Sequence, residues 1–281
     1  MSIPGIDLSS YQNPVNWANL AECGIKFAFL KATEGVTWKD PTFTDKWKQA
    51  KSVGILRGAY HFFRPNKDAS EQADNFLNSL NAVGGLEAND LPPVLDTEAN
   101  NSVGSSVIKS RCLEWLKIVE QKTGRKPILY TYPSFWNGLG STPEFKAYPL
   151  WIAHYRLGRP DIPGAWTTCY FWQYTDQGRI KGISDYVDLN WFNGELEGLQ
   201  KFVQGDFSRI NPDPIFTDLI NRKDTGESVK EIQRLLGFQG DDVDGKFGPM
   251  TEGRVVEFQR SHDLPVNGIV DPATLAKLKN Q

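Results

Sequence analysis

Through its first two hundred residues the chain alternates short β-branched or aromatic runs with longer polar, helix-permissive stretches, and this alternation constrains the architecture more than any other feature. Strands separated by helix-length crossovers pair in parallel, so the pattern calls for an α/β sheet rather than a sandwich or a bundle. The spacing predicts eight strands, at 3–8, 25–33, 55–63, 92–98, 127–132, 150–155, 169–175 and 187–192. Between them, 41–53, 68–82 and 105–123 carry helical periodicity. Phe76, Leu77 and Leu80 form one apolar stripe, and Leu113, Leu116 and Val119 another. Helical segments thin out after residue 123. The expected α/β fold is therefore an irregular TIM-like β/α barrel of about eight strands, with helices mainly in its first half and β-hairpins toward its end.

Periodicity breaks at 200–217, where Gly205, Asn211-Pro212 and Asp213-Pro214 introduce turn formers. We place the barrel at 1–205, a linker at 206–217 and a small all-α three-helix domain at 218–281. Its helices are expected at 228–236, 250–261 and 272–279, with a turn at 240–249. About 60 residues suffice for such a unit to fold on its own. Val229, Ile232, Leu235, Leu236, Val255, Val256 and Phe258 recur at helical spacing and read as its core. Gly245, Gly248 and Gly268 supply turns, and Thr251 is placed to cap the second helix. Asp241-Asp242-Val243-Asp244-Gly245 has the outline of a calcium loop. Val243 stands where a ligand is needed, however, and Gly253 where the closing Glu would be, so the stretch reads as a turn.

Charge and composition narrow the function. With 31 basic against 34 acidic residues the net charge is -3, so no global positive field draws in nucleic acid. No stretch approaches the ~20 apolar residues of a membrane span, so membrane insertion is not expected. The opening Met-Ser-Ile-Pro-Gly-Ile-Asp lacks a basic and then apolar leader pattern, which predicts a chain made in the cytoplasm. Cys23, Cys112 and Cys169 are too far apart and odd in number for a disulfide framework or a metal-ligand spacing, and are expected as buried thiols. His61 and His154 fall out of phase with Tyr60 and Trp151, and His262 belongs to the other domain. No metal and no cofactor is expected, and the chain is expected to be a monomer.

Four acidic residues sit at predicted strand ends: Asp7 in GIDLSSYQ, Asp96 and Glu98 in VLDTE, and Asp188 in VDLNWF. In a parallel barrel the chemistry collects at the carboxyl ends of the strands. Asp96 and Glu98 are two apart and leave the same strand face, while Leu95 and Thr97 face the helices. Carboxylates crowded into one pocket cannot all ionise cheaply, so one stays protonated as a general acid. Glycosidic cleavage needs that combination: one carboxylic acid protonates the leaving oxygen, and a carboxylate or the substrate's own acetamido group stabilises the developing positive charge. Tyr60 and Phe62 share a strand face, as do Tyr130 and Tyr132. With Trp151 and Gln173, Tyr60, Phe62 and Tyr130 are the candidates to line a glycan groove. Lys31, Glu34 and Arg64 read as structural ion pairs.

Taken in order, GIDLSSYQ, FLKATEG, GAYHFFRP, PPVLDTE, LWIAHY, FWQYTDQG and VDLNWF resemble glycoside hydrolase family 25, over about residues 3–193. The resemblance implies a retaining muramidase of the lysozyme type on an irregular barrel. It makes Glu98 the acid/base and Asp96 the carboxylate that orients or stabilises the reacting sugar, with Asp7 and Asp188 completing the cluster. An acetamido-assisted route and a covalent aspartyl intermediate both remain open. SVKEIQRLLG, DGKFGPMTE, VVEFQRSHDLPVNGIVD and TLAKL resemble a three-helix peptidoglycan-binding domain. Together these imply bacterial peptidoglycan glycan strands as the partner and a phage endolysin as the expected biology. A secreted autolysin, a chitinase-like hydrolase and a non-catalytic wall-binding protein are the alternatives.

Overall fold

The computed structural model describes residues 3–155, 160–208 and 224–280. The first part runs β1 (Ile3–Leu8), α1 (Trp17–Glu22), β2 (Phe27–Glu34), β3 (Trp38–Lys39), α2 (Phe43–Ser52), β4 (Leu56–Phe62), α3 (Ala69–Ala82), β5 (Val94–Asp96) and α4 (Ser105–Thr123). It continues with β6 (Ile128–Thr131), α5 (Pro133–Gly138), β7 (Leu150–Ala153), β8 (Phe171–Gly178), β9 (Val187–Phe192) and α6 (Leu196–Val203). Strands β1, β2, β4, β5, β6, β7 and β8 pair in parallel in that order. β9 runs antiparallel between β8 and β1 and closes the barrel at eight strands.

All eight expected strands form, and β3 adds a two-residue flap against the end of β2. Hairpin closure toward the end of the barrel is confined to β8–β9. Helices α1, α5 and α6 were not anticipated. The last of these occupies 200–203, inside the interval read as a turn-rich break, because Leu199, Phe202 and Val203 form an i, i+3, i+4 stripe that packs on Phe171 and Phe192. Gly205, at φ 87, marks the stop of that helix. Of the expected linker, 209–217 lies outside the described residues.

The strand alternation produces two cores. Facing out, Ala28, Leu30, Leu95, Leu129 and Ile152 meet the helix faces that carry Trp47, Phe76, Trp115 and Leu116. Facing in, Phe27, Phe29, Trp151, Phe171 and Phe192 plug the barrel. Phe29 stacks on Trp151 at 4.3 Å, and Phe27 meets Phe171 edge-on at 5.1 Å. The strands make room for these rings with two glycines: a Cβ at Gly5 would lie 2.3 Å from the Phe27 ring, and one at Gly58 would lie 2.6 Å from Phe29. This apolar plug is the floor on which the polar end of the barrel stands.

In the C-terminal part, α7 (Glu227–Leu235), α8 (Pro249–Ser261) and α9 (Pro272–Lys279) surround Val229, Ile232, Phe247, Val255, Phe258, Val270 and Leu278. One device appears twice. The side-chain oxygen of Gln233 accepts the Gly245 N–H at 2.9 Å, and that of Gln259 accepts the Gly268 N–H at 2.9 Å, with both glycines at φ 71. Each buried amide thereby closes a left-handed turn that only glycine adopts without strain. Thr251 is not a cap: Gly248 precedes α8 without a side-chain cap, and the buried Thr251 hydroxyl is taken by Gln233 and the Lys246 carbonyl. Asp244 spends its carboxylate on Gln233 and the Lys246 N–H within the turn.

The C-terminal helices meet the barrel through a short set of contacts. Val266 and Arg179 form an antiparallel bridge, Asn267 donates to the Tyr174 hydroxyl at 2.9 Å, and the Cys23 thiol donates to the Asp263 carbonyl at 2.8 Å. Ile269 packs against the outer barrel core. All three cysteines are buried and free.

Candidate active site

The register of the strands gathers the carboxylates. Asp7 on β1 pairs directly with Asp188 on β9. Because β9 is antiparallel, its beginning lies at the rim where the parallel strands end. Asp96 is the last residue of β5, and the alternation persists past it: Thr97 is buried on the helix side beside the Cys112 thiol of α4, at 3.7 Å, and Glu98 returns to the inner side. All four carboxylates and all five expected groove residues, Tyr60, Phe62, Tyr130, Trp151 and Gln173, border one cavity of about 300 Å³. A second cavity of about 590 Å³ shares Glu98, Tyr130 and Tyr155 as walls and runs on past Tyr132, Asn137 and His154. Glu98 stands where the two meet.

Burial dominates the electrostatics. Desolvation raises Asp7 to about 6 against the hydrogen bonds it accepts, and raises Asp188 to about 9 with help from the charge of Asp7. Burial, and then the charge of Glu98, push Asp96 well above the ordinary carboxylate range. Burial also raises Glu98, while Lys31 and Arg64 pull it partly back. Every shift in the cluster is upward, toward the protonated form that a general acid requires. Asp96 Oδ1 is buried and has no hydrogen-bond partner among the described residues, so it offers an acceptor to whatever enters the cavity.

The two cations form the expected ion pairs: Lys31 Nζ lies 2.8 Å from Glu34, and Arg64 Nε lies 2.9 Å from the same carboxylate. Both also lie over the Phe62 ring, at 4.7 and 4.5 Å. Lys31 borders the cavity as well. One acid between two bases leaves a net positive charge at the rim, which lowers Asp96 and Glu98.

Of the other residues singled out, His61 lies on the opposite face of β4, buried between Thr33 and Gln72 and stacked on Trp115 at 5.6 Å. Trp151 and Gln173 border the cavity, yet each is nearly enclosed and committed to the protein: Trp151 Nε1 donates to Asn190, and Gln173 joins Asp7, Tyr130 and Tyr155. Sequence reasoning passed over Asn190, Tyr155 and Asp176. Asn190 is two residues from Asp188 on one strand, so the period of two that located Asp96 and Glu98 also reaches it. Tyr155 follows β7 in an irregular stretch where no periodicity applies.

Residues 6–183 match the model of glycosyl hydrolases family 25, and residues 225–278 match that of a peptidoglycan binding domain. Lysozyme M1 of Streptomyces globisporus is 39% identical over 211 residues, covering 70% of each chain. The protein YegX of Escherichia coli K12 is 42% identical over 210 residues, covering 73% of this chain and 74% of its own. Among solved structures, the lysozyme of Streptomyces coelicolor superposes with a TM-score of 0.69 at 35% identity, covering 73% of this chain and 98% of that one. Motif order, barrel topology and the family match agree, and the chain belongs to glycosyl hydrolases family 25.

Proposed function

We propose that this hydrolase is an N-acetylmuramidase that cuts the β-1,4 bond between N-acetylmuramic acid and N-acetylglucosamine in bacterial peptidoglycan. The observation that carries the reading is a cluster of four carboxyls at the waist of a two-part cavity, where burial pushes their pKa values upward. Glu98, raised by burial, is the acid that protonates the leaving oxygen and the base that later activates water. Asp96 assists across the same strand end. Its unpartnered Oδ1 suits the N–H of a substrate acetamido group, whose carbonyl then stabilises the cationic centre from within the sugar. Exposed Tyr155 and half-buried Tyr60 present ring surface and hydroxyls to the glycan.

The C-terminal helices serve as the wall-binding part, which raises local substrate concentration on an insoluble polymer. Within this reading the chain acts as a phage lysin, reaching the wall after release from the host. Cytoplasmic expression should leave cells intact until the membrane is permeabilised, and lysis without permeabilisation would overturn that assignment.

The chemistry is tested by digesting purified peptidoglycan, reducing the new ends with borohydride and identifying the reduced sugar. Reduced muramic acid is expected. Reduced glucosamine would indicate the other glycosidic bond, and no new ends would indicate a binding protein without catalysis.

A further inference from the structure

Asp7 is held by two side-chain amides. Gln173 Nε2 and Asn190 Nδ2 both donate to its Oδ2, each at 2.8 Å. The amides come from adjacent strands, since Gln173 and Asn190 are direct partners across β8 and β9, and both residues are almost wholly buried.

The orientation of each amide is set from behind. Trp151 Nε1 donates to Asn190 Oδ1 at 2.8 Å, and an indole N–H can only donate, so the NH₂ of Asn190 must face Asp7. The hydroxyls of Tyr130 and Tyr155 donate to Gln173 Oε1 at 2.9 and 2.7 Å, which turns the NH₂ of Gln173 the same way. Five donors, Tyr130 on β6, Trp151 on β7, Tyr155 just beyond it, Gln173 on β8 and Asn190 on β9, are thus wired so that Asp7 receives hydrogen bonds and gives none to the two amides. Asp188, its cross-strand partner, is hydrogen-bonded to it side chain to side chain.

We propose that Asn190 and Gln173 are positioning residues that assign the charge within the Asp7–Asp188 pair: they fix Asp7 as the carboxylate and leave the shared proton on Asp188. The inference rests on the muramidase reading for its catalytic consequence. Two neighbouring acids without such a bias would exchange the proton freely. With it, the site presents one fixed anion and one fixed donor to the sugar. Other charged or titratable groups that line the cavity with Asp7 are Tyr11 after β1, Lys31 from β2, Tyr60 from β4, Asp96 and Glu98 from the end of β5, Tyr130 from β6, Tyr155 after β7, and Asp176 on β8. None of them donates a hydrogen bond to Asp7 as the two amides do.

The test uses the full chain, labelled with ¹³C at the aspartate carboxyls, and follows Asp7 and Asp188 by NMR across pH in the wild type, Asn190→Leu and Trp151→Phe. Asn190→Leu removes one donor at nearly constant size. The lower apparent pKa of the pair should rise by about one unit, and the acid limb of kcat/KM on purified peptidoglycan should move with it. Trp151→Phe removes the donor that orients Asn190 while leaving both amides in place, at the cost of part of the ring stacked on Phe29. It should shift the same titration in the same direction by less, which keeps the proposal testable should Asn190→Leu fail to fold. Titrations identical to wild type in a folded variant, or a rate that falls with an unmoved pH profile, would overturn the proposal. The carboxyl titration reads the protein alone, so a wild type that cut no glycan would overturn the muramidase reading and leave this result standing.

Discussion

Asp7 and Asp188 face each other as direct cross-strand partners on β1 and β9, a place where like charges destabilise a sheet. The sheet tolerates them because one keeps its proton. Asp188 titrates near 9 in the folded chain against an ordinary value of 3.8. A carboxyl raised in this way contributes its stability fully below its unfolded pKa and loses it as the pH rises through the folded value.

Asp188→Asn should therefore stabilise the protein while damaging it as an enzyme. The amide keeps a donor toward Asp7 and cannot ionise. We expect a gain of about 1–2 kcal/mol at pH 8, seen as a Tm rise of roughly 2–8 °C that shrinks toward pH 4. Thermal denaturation at the two pH values checks this, and a lower Tm at pH 8 would count against it.

His61 sets the acid side. Burial pushes its pKa down to about 4 from 6.5, so the folded chain keeps it neutral where the unfolded chain would protonate it. That contribution is present above pH 6.5 and is lost as the pH falls through 4, on the order of 3 kcal/mol in all. Replacing it by Gln should flatten the decline in Tm between pH 6.5 and 4, although the lost stacking on Trp115 lowers Tm overall. An unchanged slope would place acid sensitivity elsewhere.

A chain ending near residue 205 should retain turnover on soluble glycan fragments and bind intact walls less well. The contacts of Asp263, Val266, Asn267 and Ile269 add a consequence that the sequence did not suggest. Their loss uncovers Tyr174 and Cys23 on the barrel, so the truncated form should also melt at lower temperature. Calorimetry and wall pull-down measure the two effects separately, and equal wall affinity with an equal Tm would contradict both.

The strands and the carboxylates were legible in the sequence because both obey a period of two: the same alternation that buries Leu95 and Thr97 against the helices sends Asp96 and Glu98 inward. What was not legible arises between strands. The pairing of Asp7 with Asp188, and the amides of Gln173 and Asn190 that converge on it, depend on the register that brings β8 and β9 to β1, more than 160 positions away in the chain. Helix α6 was hidden by the turn formers that follow it, and the docking of the C-terminal helices by the absence of any local signal for contacts such as Asn267 with Tyr174.

The central claim is that Glu98 supplies the proton to the leaving glycosidic oxygen. Glu98→Gln keeps the size and hydrogen-bonding shape of the side chain but cannot act as that acid. The decisive measurement is the rate of release of reducing muramic acid ends from purified peptidoglycan by this variant, with its fold verified by circular dichroism and its wall binding by pull-down. The account predicts a fall of about 100- to 10,000-fold with fold and binding intact. A folded Glu98→Gln protein that kept most of the wild-type rate would contradict it and pass the role of proton donor to Asp188 or Asp7.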